Sequence, residues 1–565
     1  MDKILLKIVG LLNPLLQKTG VNIAQLHEIL RIKLLMDNRR PRSIFGHKKN
    51  KTEGKPTSSL LATIMMVFMG LLMCFVLFIT TQPLAGQALY FSIFMVMMAI
   101  TLISDFTSVL IDSRDQFIIS PRPVNDRTMA MARFLHVTLY IARIALLQGL
   151  PGIFIIAFID GFAAIPLFAL QVIEATLLSV LLVNLVYFVL IKLVSPQRFK
   201  DIISYIQIVF SVLIFAVYYL VPRLINTSLL QQVNLLKHVW AYFLPPVWIA
   251  SLNEAVFHTG RSGWAVLCMA VIGLVFPLVG IWFVAKVLAP GFNRRLAIIS
   301  TADGAANVVT PLTKKYNPDF RDKLANLLAP DGIENAGFKI TWKLAARTRE
   351  FKMKVFPAFA YVPIYFIYFA LNGKGQTLTE RYAKIQHNTS YIFLIYLTTF
   401  VLSSILQNVS QSPKYKSAWV YYTLPITLPG KILSGMYKAI IVIYFVPYCL
   451  VISAAMIFIW GPATINDILL AFSISLTYGM LLALFMVKGL PFSTPIMVKQ
   501  GGGKVIVSFM IIGLIAAIGF GHVFISKWEG LVWLLIIPSV LINWIMFYQY
   551  KKQSWNDIEL ADIDG

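Results

Sequence analysis

Long apolar runs alternate with shorter polar connections along the whole chain. A helix needs about 20 apolar residues to cross the roughly 30 Å hydrocarbon core of a bilayer, so each run predicts one membrane-spanning helix. The runs form two groups of six, at 59–80, 88–112, 134–158, 164–194, 202–221 and 263–289, then at 354–371, 389–409, 436–460, 465–488, 503–522 and 529–549. The pattern predicts an all-α polytopic membrane protein of about twelve transmembrane helices, in two pseudo-repeated bundles of six.

The composition excludes a water-soluble protein. Of the 565 residues, 58% are hydrophobic and 13% are charged, whereas soluble domains have about 45–50% and about 25%. The net charge is +24, and the predicted connections on one face of the membrane carry 40 lysines and arginines against 7 on the other. This asymmetry is typical of cytoplasmic loops. It predicts cytoplasmic N- and C-termini in the cytoplasmic (inner) membrane, and it explains the basic charge without a nucleic-acid partner.

The two groups of runs resemble copies of one unit, because matched runs mostly start about 300 residues apart. A basic amphipathic segment precedes each group, at 23–42 and 337–354. Each is typical of a helix lying in the membrane interface, with generic juxtamembrane basic residues as the alternative. The predicted segments are a cytoplasmic amphipathic N-terminus (1–58), a first six-helix half (59–289), a cytoplasmic linker with a second connecting helix (290–353), a second six-helix half (354–549) and a cytoplasmic tail (550–565).

The chain carries no recognisable catalytic, metal or cofactor motif. Its three cysteines lie far apart in apolar runs, without the spacing of a metal site or of a disulfide framework. Two segments with Gly-Lys pairs, 46–56 and 500–505, depart from the G-x-x-x-x-G-K-S/T sequence that binds ATP phosphates. We therefore expect no enzyme and no cofactor in this chain, and any energy from ATP would have to come from a separate subunit.

Two predicted cytoplasmic connections share an unusual pattern. Residues 114–135 and 418–440 each contain an aromatic or aliphatic run, then two prolines, then a basic residue, then a helical stretch of small and apolar residues. Proline cannot continue the preceding helix, so the chain must turn there and start a new one. Exposed turns seldom carry such apolar patches unless something covers them. The patches are therefore expected either to lie against the bilayer interface or to dock on another protein.

These connections resemble the coupling segments of the permeases of type-2 ATP-binding-cassette exporters. Six spans, a preceding amphipathic helix and a cytoplasmic loop after the second span each occur twice, and residues 244–256 are similar to the external segment of that family. The resemblance implies two half-permeases fused in one chain and a cytoplasmic ATPase partner in two copies, with ATP bound only by that partner. The residues that it assigns to ATPase coupling are Phe117, Ile118, Pro121, Pro123, Arg127, Tyr422, Leu424, Pro425, Pro429 and Lys431.

Three ionisable residues lie inside predicted spans. Such groups are costly in a bilayer and are candidates for function. Arg143 and Glu174 each lie about ten residues inside neighbouring antiparallel spans, roughly 15 Å deep, so we expect them to form an ion pair. Asp105 lies closer to the inner end of its span, where it could line a vestibule or bond to a neighbouring helix. The second half shows no charged residue at a comparable depth.

The sequence favours the permease component of an ATP-driven exporter for an unidentified, amphipathic or lipid-like substrate. An ion-coupled transporter is the alternative, although it would be expected to carry paired carboxylates in both halves. A membrane enzyme is a third possibility. The short external connections leave little room for an active site, and the cytoplasmic loops carry no hydrolase or metalloprotease signature.

Overall fold

The computed structural model describes residues 2–11, 13–18, 20–39, 57–78, 80–109, 123–194, 196–224, 235–258, 263–283, 320–371, 380, 389, 391–495 and 502–558. Within these ranges every regular element is a helix or a helical turn, apart from one bridge between Gln411 and Thr494. The predicted all-α fold class is confirmed at this level.

The helices divide at the long connection before residue 320. Up to residue 283 they are α1 (Asp2–Leu11), α2 (Asn13–Lys18), α3 (Ile23–Arg39), α4 (Thr57–Cys74), α5 (Pro83–Val109), α6 (Asp126–Ile159), α7 (Ala164–Leu193), α8 (Pro196–Leu224), α9 (Pro245–Phe257) and α10 (Trp264–Phe283). From residue 320 they are α11 (Phe320–Leu328), α12 (Gly332–Arg347), α13 (Arg349–Val355), α14 (Tyr361–Ala370), α15 (Tyr391–Asn408), α16 (Val420–Thr423), α17 (Gly430–Ile440), α18 (Val446–Trp460), α19 (Ile465–Met486), α20 (Gly502–Ile525) and α21 (Glu529–Lys551).

Nine helical segments in the described part of the chain are long and apolar enough to cross a membrane. They are Pro83–Ile103, Arg127–Ile159, Ala164–Leu190, Trp264–Phe283, Arg349–Ala370, Tyr391–Asn408, Gly430–Trp460, Pro462–Met486 and Glu529–Lys551. Shorter apolar helices at Thr63–Phe78, Asp201–Val217 and Gly513–Ile525 coincide with the remaining predicted runs. The chain therefore has the helices of a multi-pass membrane protein, while the count of twelve and the internal repeat stay predictions.

The chain forms two compact units. Unit 1 contains residues 1–203 and 225–309, and unit 2 contains residues 204–224 and 310–565. Most of α8 thus belongs to unit 2, although the sequence places it among the first six runs. There Tyr219 of α8 accepts a hydrogen bond from the Tyr365 hydroxyl of α14 at 2.9 Å. Aromatic packing between α8 and α14 accounts for the grouping.

Unit 1 is built around the long helix α6. The α4 and α7 helices pack along it, and α9 is enclosed by α5, α7 and α10. The N-terminal helices α1–α3 cover the start of α6, where Leu26 and Leu30 pack against Ala132 and Leu135. The residues of α9 that resemble an external segment therefore form a buried helix of this unit.

Unit 2 has its largest core around α15, α17 and α19. One turn of π-helix at Ile441–Phe445 joins α17 to α18 just before Pro447, whose missing N–H breaks the regular hydrogen-bond ladder. On α21, large apolar side chains such as Leu534 and Ile537 are well exposed. An apolar helix with its large side chains facing outward is the form expected against lipid.

The second amphipathic segment is divided between two helices. Residues 337–354 were expected to form one interfacial helix, but α12 ends at Arg347 and α13 starts at Arg349. Thr348 has an extended backbone between them, with φ −74° and ψ 111°. The residues after Thr348 therefore belong to the membrane-spanning segment Arg349–Ala370.

Candidate functional site

The second proline segment, residues 418–431, exposes an apolar surface in unit 2. The side chains of Trp419 and Leu424 are 57% and 51% exposed, and Leu428 is also exposed. Pro425 lies on the exposed side, whereas Pro429 is buried and precedes the first residue of α17. The prolines therefore turn the chain as predicted, and they leave Leu424 at the accessible side of the bend.

Three ion pairs hold α12 against the end of this segment and against the neighbouring helices α17 and α21. Glu334, buried at the start of α12, accepts hydrogen bonds from Lys438 at 2.7 Å and Lys551 at 2.8 Å. Asp331, which caps α12, pairs with Lys431 at 2.8 Å. Burial acts to raise the pKa of Glu334, but the two lysine hydrogen bonds help to bring it below its ordinary value. The hydrogen bond from Lys431 likewise lowers the pKa of Asp331.

The residues after α21 support the segment from another side. The indole N–H of Trp555 donates to the carbonyl of Ile426 at 2.7 Å, and the Trp555 ring centre lies 5.8 Å from that of Tyr422. The Gly430 N–H donates to the carbonyl of Gln553 at 3.1 Å. These contacts fix the backbone on both sides of Pro429. The start of the predicted tail thus forms part of the site.

The residues of the second half that are predicted to couple to an ATPase have different surroundings in the structure. Leu424 and Pro425 are exposed and accessible, Tyr422 is half-buried against Trp555, and Pro429 is buried. Lys431 is engaged in the ion pair with Asp331. The exposed part of this segment therefore consists of apolar side chains, and the ion pair of Lys431 lies at its base.

The first proline segment, residues 114–127, is described only from Pro123 onward. Phe117, Ile118 and Pro121 lie outside the described residues. Pro123 and Arg127 are exposed, and the side chain of Gln25 on α3 donates to the Pro123 carbonyl at 3.2 Å. The hydroxyl of Thr128 also accepts a hydrogen bond from the backbone N–H of Asn22 at 3.0 Å. The N-terminal helices therefore hold the end of this segment, as α12 does in unit 2.

In the described part of the chain no hydrogen bond joins Arg143 to Glu174, and their predicted ion pair stays a prediction. Both residues are buried, but neither carboxylate oxygen of Glu174 has a hydrogen-bond partner among the described residues. The register between α6 and α7 offsets the two residues. Val172 packs against Gly149, which sets Arg143 level with Leu178, about 6 Å along the helix axis from Glu174. Asp105 falls within α5, and its side chain lies outside the described residues.

A buried polar network in unit 2 was missed. Asp467, at the start of α19, accepts a hydrogen bond from the Tyr391 hydroxyl and lies 3.1 Å from Nε2 of His522 on α20. The other ring nitrogen of His522 lies 3.0 Å from the Tyr396 hydroxyl. Asp467 was overlooked because it stands near the end of an apolar run, where acidic residues are common. A histidine at the far end of the next apolar run was the available signal.

Unit 1 has a polar cluster of its own. Asn253 of α9 donates to the carboxylate of Asp160 at 2.6 Å, and Gln171 of α7 donates to the carbonyl of Ile249 at 2.7 Å. Gln171 also reaches the amide oxygen of Gln87 on α5 at 3.4 Å. These contacts tie α9 to α7 and to Asp160, the residue that caps α6, and they tie α7 to α5. The side chain of Asn253 and the carbonyl of Ile249, both on the buried helix α9, thereby have hydrogen-bond partners.

No relative was found. Comparison of the chain with protein-family models, with curated proteins and with solved structures gave no match. The resemblance to exporter permeases therefore rests on the sequence pattern alone, and the function has to be inferred from the geometry of the chain.

The geometry of unit 2 joins an exposed surface to a membrane helix. The apolar bend ends at Pro429, and α17 forms the start of the span Gly430–Trp460, which continues through the π-helical turn into α18. The base of the bend is held by α12 and by the residues after α21. A partner that pushed on Leu424 would therefore move the bend together with α12 and α17. The arrangement can transmit force between a bound protein and the membrane helices.

Proposed function

We propose that this chain is the membrane permease component of an ATP-driven exporter. In this proposal two half-permeases are fused in one chain, and a separate cytoplasmic ATP-binding-cassette ATPase binds in two copies. The carried substrate is amphipathic or lipid-like. The concentration of basic residues in the connections of one predicted face supports a cytoplasmic location for the proline segments and both termini, with the inner membrane as the proposed membrane.

The observation that carries the proposal is the braced, exposed apolar bend around Leu424. Apolar side chains on a rigid support are the usual basis of a protein interface, because little conformational entropy is lost when they are covered. Ion pairs at Glu334 and Asp331 and the Trp555 hydrogen bond supply that support. ATP-driven closure of the partner would act through the bend on α17 and so on the membrane bundle.

The decisive variant is Leu424→Arg. We expect the full-length variant to insert normally in native membranes but to lose the ATPase that co-purifies with the wild type, because a charge replaces the apolar contact. The matched control is Leu327→Arg on α11, where the side chain is 77% exposed and lies outside the proline segment. The measurement is ATP hydrolysis by the purified complex, with the partner identified by mass spectrometry from its Walker A sequence.

Two outcomes would contradict the exporter. One is equal ATP hydrolysis and equal ATPase content in wild type and Leu424→Arg. The other is purification from native membranes without any ATPase. That second outcome would favour an ion-coupled transporter, for which the buried contact between Asp467 and His522 is the supporting observation, since ionisable residues inside membrane spans are rare and usually functional.

A further inference from the structure

A cleft in unit 2 opens between the start of the Arg349–Ala370 span and α15. Its volume is about 240 Å³, and its walls come from Lys354, Pro357, Ala358 and Tyr361 on one side and Phe400, Ser403, Ser404 and Gln407 on the other. Small side chains on both walls, such as Ala358 and Ser403, leave the space unfilled. Pro357 lies in a tighter helical turn, Phe356–Ala360, that interrupts the regular helix there.

The cleft contains a cation, Lys354, that forms no ion pair with a carboxylate in the described part of the chain, although Glu350 is close enough to act on its charge. The ammonium of Lys354 donates to the side-chain oxygen of Gln411 at 2.8 Å, which is a neutral contact. Among the described residues no carboxylate lies within ion-pair distance of it, and the nearby Glu350 pairs with Arg349 at 3.3 Å. A half-buried ammonium in an apolar helix bundle is costly unless an anion approaches it. The site therefore has the charge to attract an anionic group.

Aromatic rings continue the cleft in the direction of the membrane interior. The ring centres of Tyr361 and Phe400 lie 6.2 Å apart, with the two ring planes nearly perpendicular. The ring centre of Phe215 lies 4.7 Å from that of Tyr361. Lys354 is five residues from the start of its span, about 8 Å along the axis, close to the boundary between head groups and acyl chains. The ammonium of Lys354 at that depth can meet a negatively charged lipid head group. The rings of Tyr361 and Phe400, deeper in the span, can contact the acyl chain attached to it.

We propose that this cleft binds the phosphate head group of an anionic membrane phospholipid. Lys354 pairs with the phosphate, the Ser403 hydroxyl donates to it, and the acyl chains lie along Tyr361 and Phe400. The volume is below the roughly 300–1,000 Å³ of pockets that enclose whole small molecules, which suits a head group whose chains stay in the bilayer. The site does not depend on the ATPase proposed above.

The test is lipid binding to the full-length protein in detergent, measured by native mass spectrometry with phosphatidylglycerol. Phosphatidylcholine with the same chains is the neutral counterpart. We expect Lys354→Gln to weaken phosphatidylglycerol binding about fivefold, the effect of one lysine at a membrane surface, and to leave phosphatidylcholine binding unchanged. Lys354→Arg should retain binding. Lys343→Gln removes the same charge from an exposed position on α12 and should change binding less than twofold.

Ser403→Trp tests the cleft separately from its charge. Filling the space should weaken phosphatidylglycerol binding by about the same factor while Lys354 is intact. Equal losses in Lys354→Gln and Lys343→Gln would overturn the proposal, because they would show diffuse attraction to a basic surface. Unchanged binding in Ser403→Trp would overturn it as well. Saturable binding of inorganic phosphate alone would show a phosphate site and not a lipid site.

Discussion

The carboxylate of Glu334 joins three helices at one buried point. It belongs to α12, and it accepts hydrogen bonds from Lys438 on α17 and Lys551 on α21. Both lysines are partly exposed, so each could be solvated if the carboxylate were lost. The cost of losing it therefore comes mainly from broken charge-assisted hydrogen bonds and not from stranded buried cations.

Glu334→Gln should lower the free energy of unfolding of unit 2 by about 1–3 kcal/mol, because an amide cannot replace two ion pairs. The measurement is thermal unfolding of the full-length protein in detergent at neutral pH. Glu350→Gln is the control, since that carboxylate is 34% exposed in its pair with Arg349 and should contribute less than about 1 kcal/mol. A loss in Glu350→Gln as large as that in Glu334→Gln would contradict this role.

The stability difference between wild type and Glu334→Gln should depend on pH. Because the pKa of Glu334 is lowered in the folded state, its stabilisation is complete above the unfolded value of about 4.3 and is lost as the pH falls through the folded value. The difference in unfolding temperature between wild type and Glu334→Gln should therefore shrink on acidification from neutral pH to below pH 4. A difference that stayed constant over this range would be inconsistent with an ionised Glu334.

Contacts between individual side chains on different helices could not be predicted from the sequence. A depth estimated along each span separately does not fix the register between α6 and α7, and the contact of Val172 with Gly149 sets Arg143 level with Leu178 instead of Glu174. The pairing of Asp467 with His522 joins residues 55 apart in the chain, and no local pattern connects them. Such contacts depend on helix register and rotation, which apolar periodicity leaves open.

At the scale of elements, two glycines set how closely α12 packs on α17. A Cβ added at Gly337 would lie 2.6 Å from the carbonyl oxygen of Ile432, and one added at Gly435 would overlap the carbonyl oxygen of Glu334. The two backbones can therefore approach only because these side chains are absent. The close packing of α12 on α17 positions the ion pairs that support the second proline segment.

Gly435→Ala should separate α12 from α17 and destabilise unit 2 by about 1–3 kcal/mol, even though alanine is the better helix former. Gly332→Ala is the matched control, because this glycine of α12 has open space around its Cβ position, and it should be neutral or slightly stabilising. Thermal unfolding of both variants in detergent gives the comparison. An unfolding temperature for Gly435→Ala at or above that of the wild type would show that the close approach is unimportant.

Helices were the part of the fold that could be predicted. Where the structure describes them, the predicted apolar runs fall on helices, because a long run of apolar residues has few alternatives in a membrane. The division of the second amphipathic segment at Thr348 and the packing of Trp555 on Ile426 were not foreseen. Both depend on single residues at element ends, where apolar patterning carries little information.

For the molecule as a whole, the proposal depends on the side of the membrane to which the proline segments belong. Basic residues are concentrated in the connections of one predicted face, and each unit holds an amphipathic helix against the helix that follows its proline segment. An ATPase can act only from the cytoplasm, so a segment on the external face could not be the coupling site. The proposal therefore requires that both proline segments lie on the cytoplasmic side of the membrane.

The most direct measurement is the accessibility of a cysteine at Leu424. The exposed Cys268 is replaced by serine, and the buried Cys74 and Cys449 are retained. Leu424→Cys should resist a membrane-impermeant maleimide in intact cells and react with it in inside-out vesicles. Phe162→Cys, in the exposed turn between α6 and α7, should show the opposite pattern. Labelling of Leu424→Cys in intact cells would contradict the account.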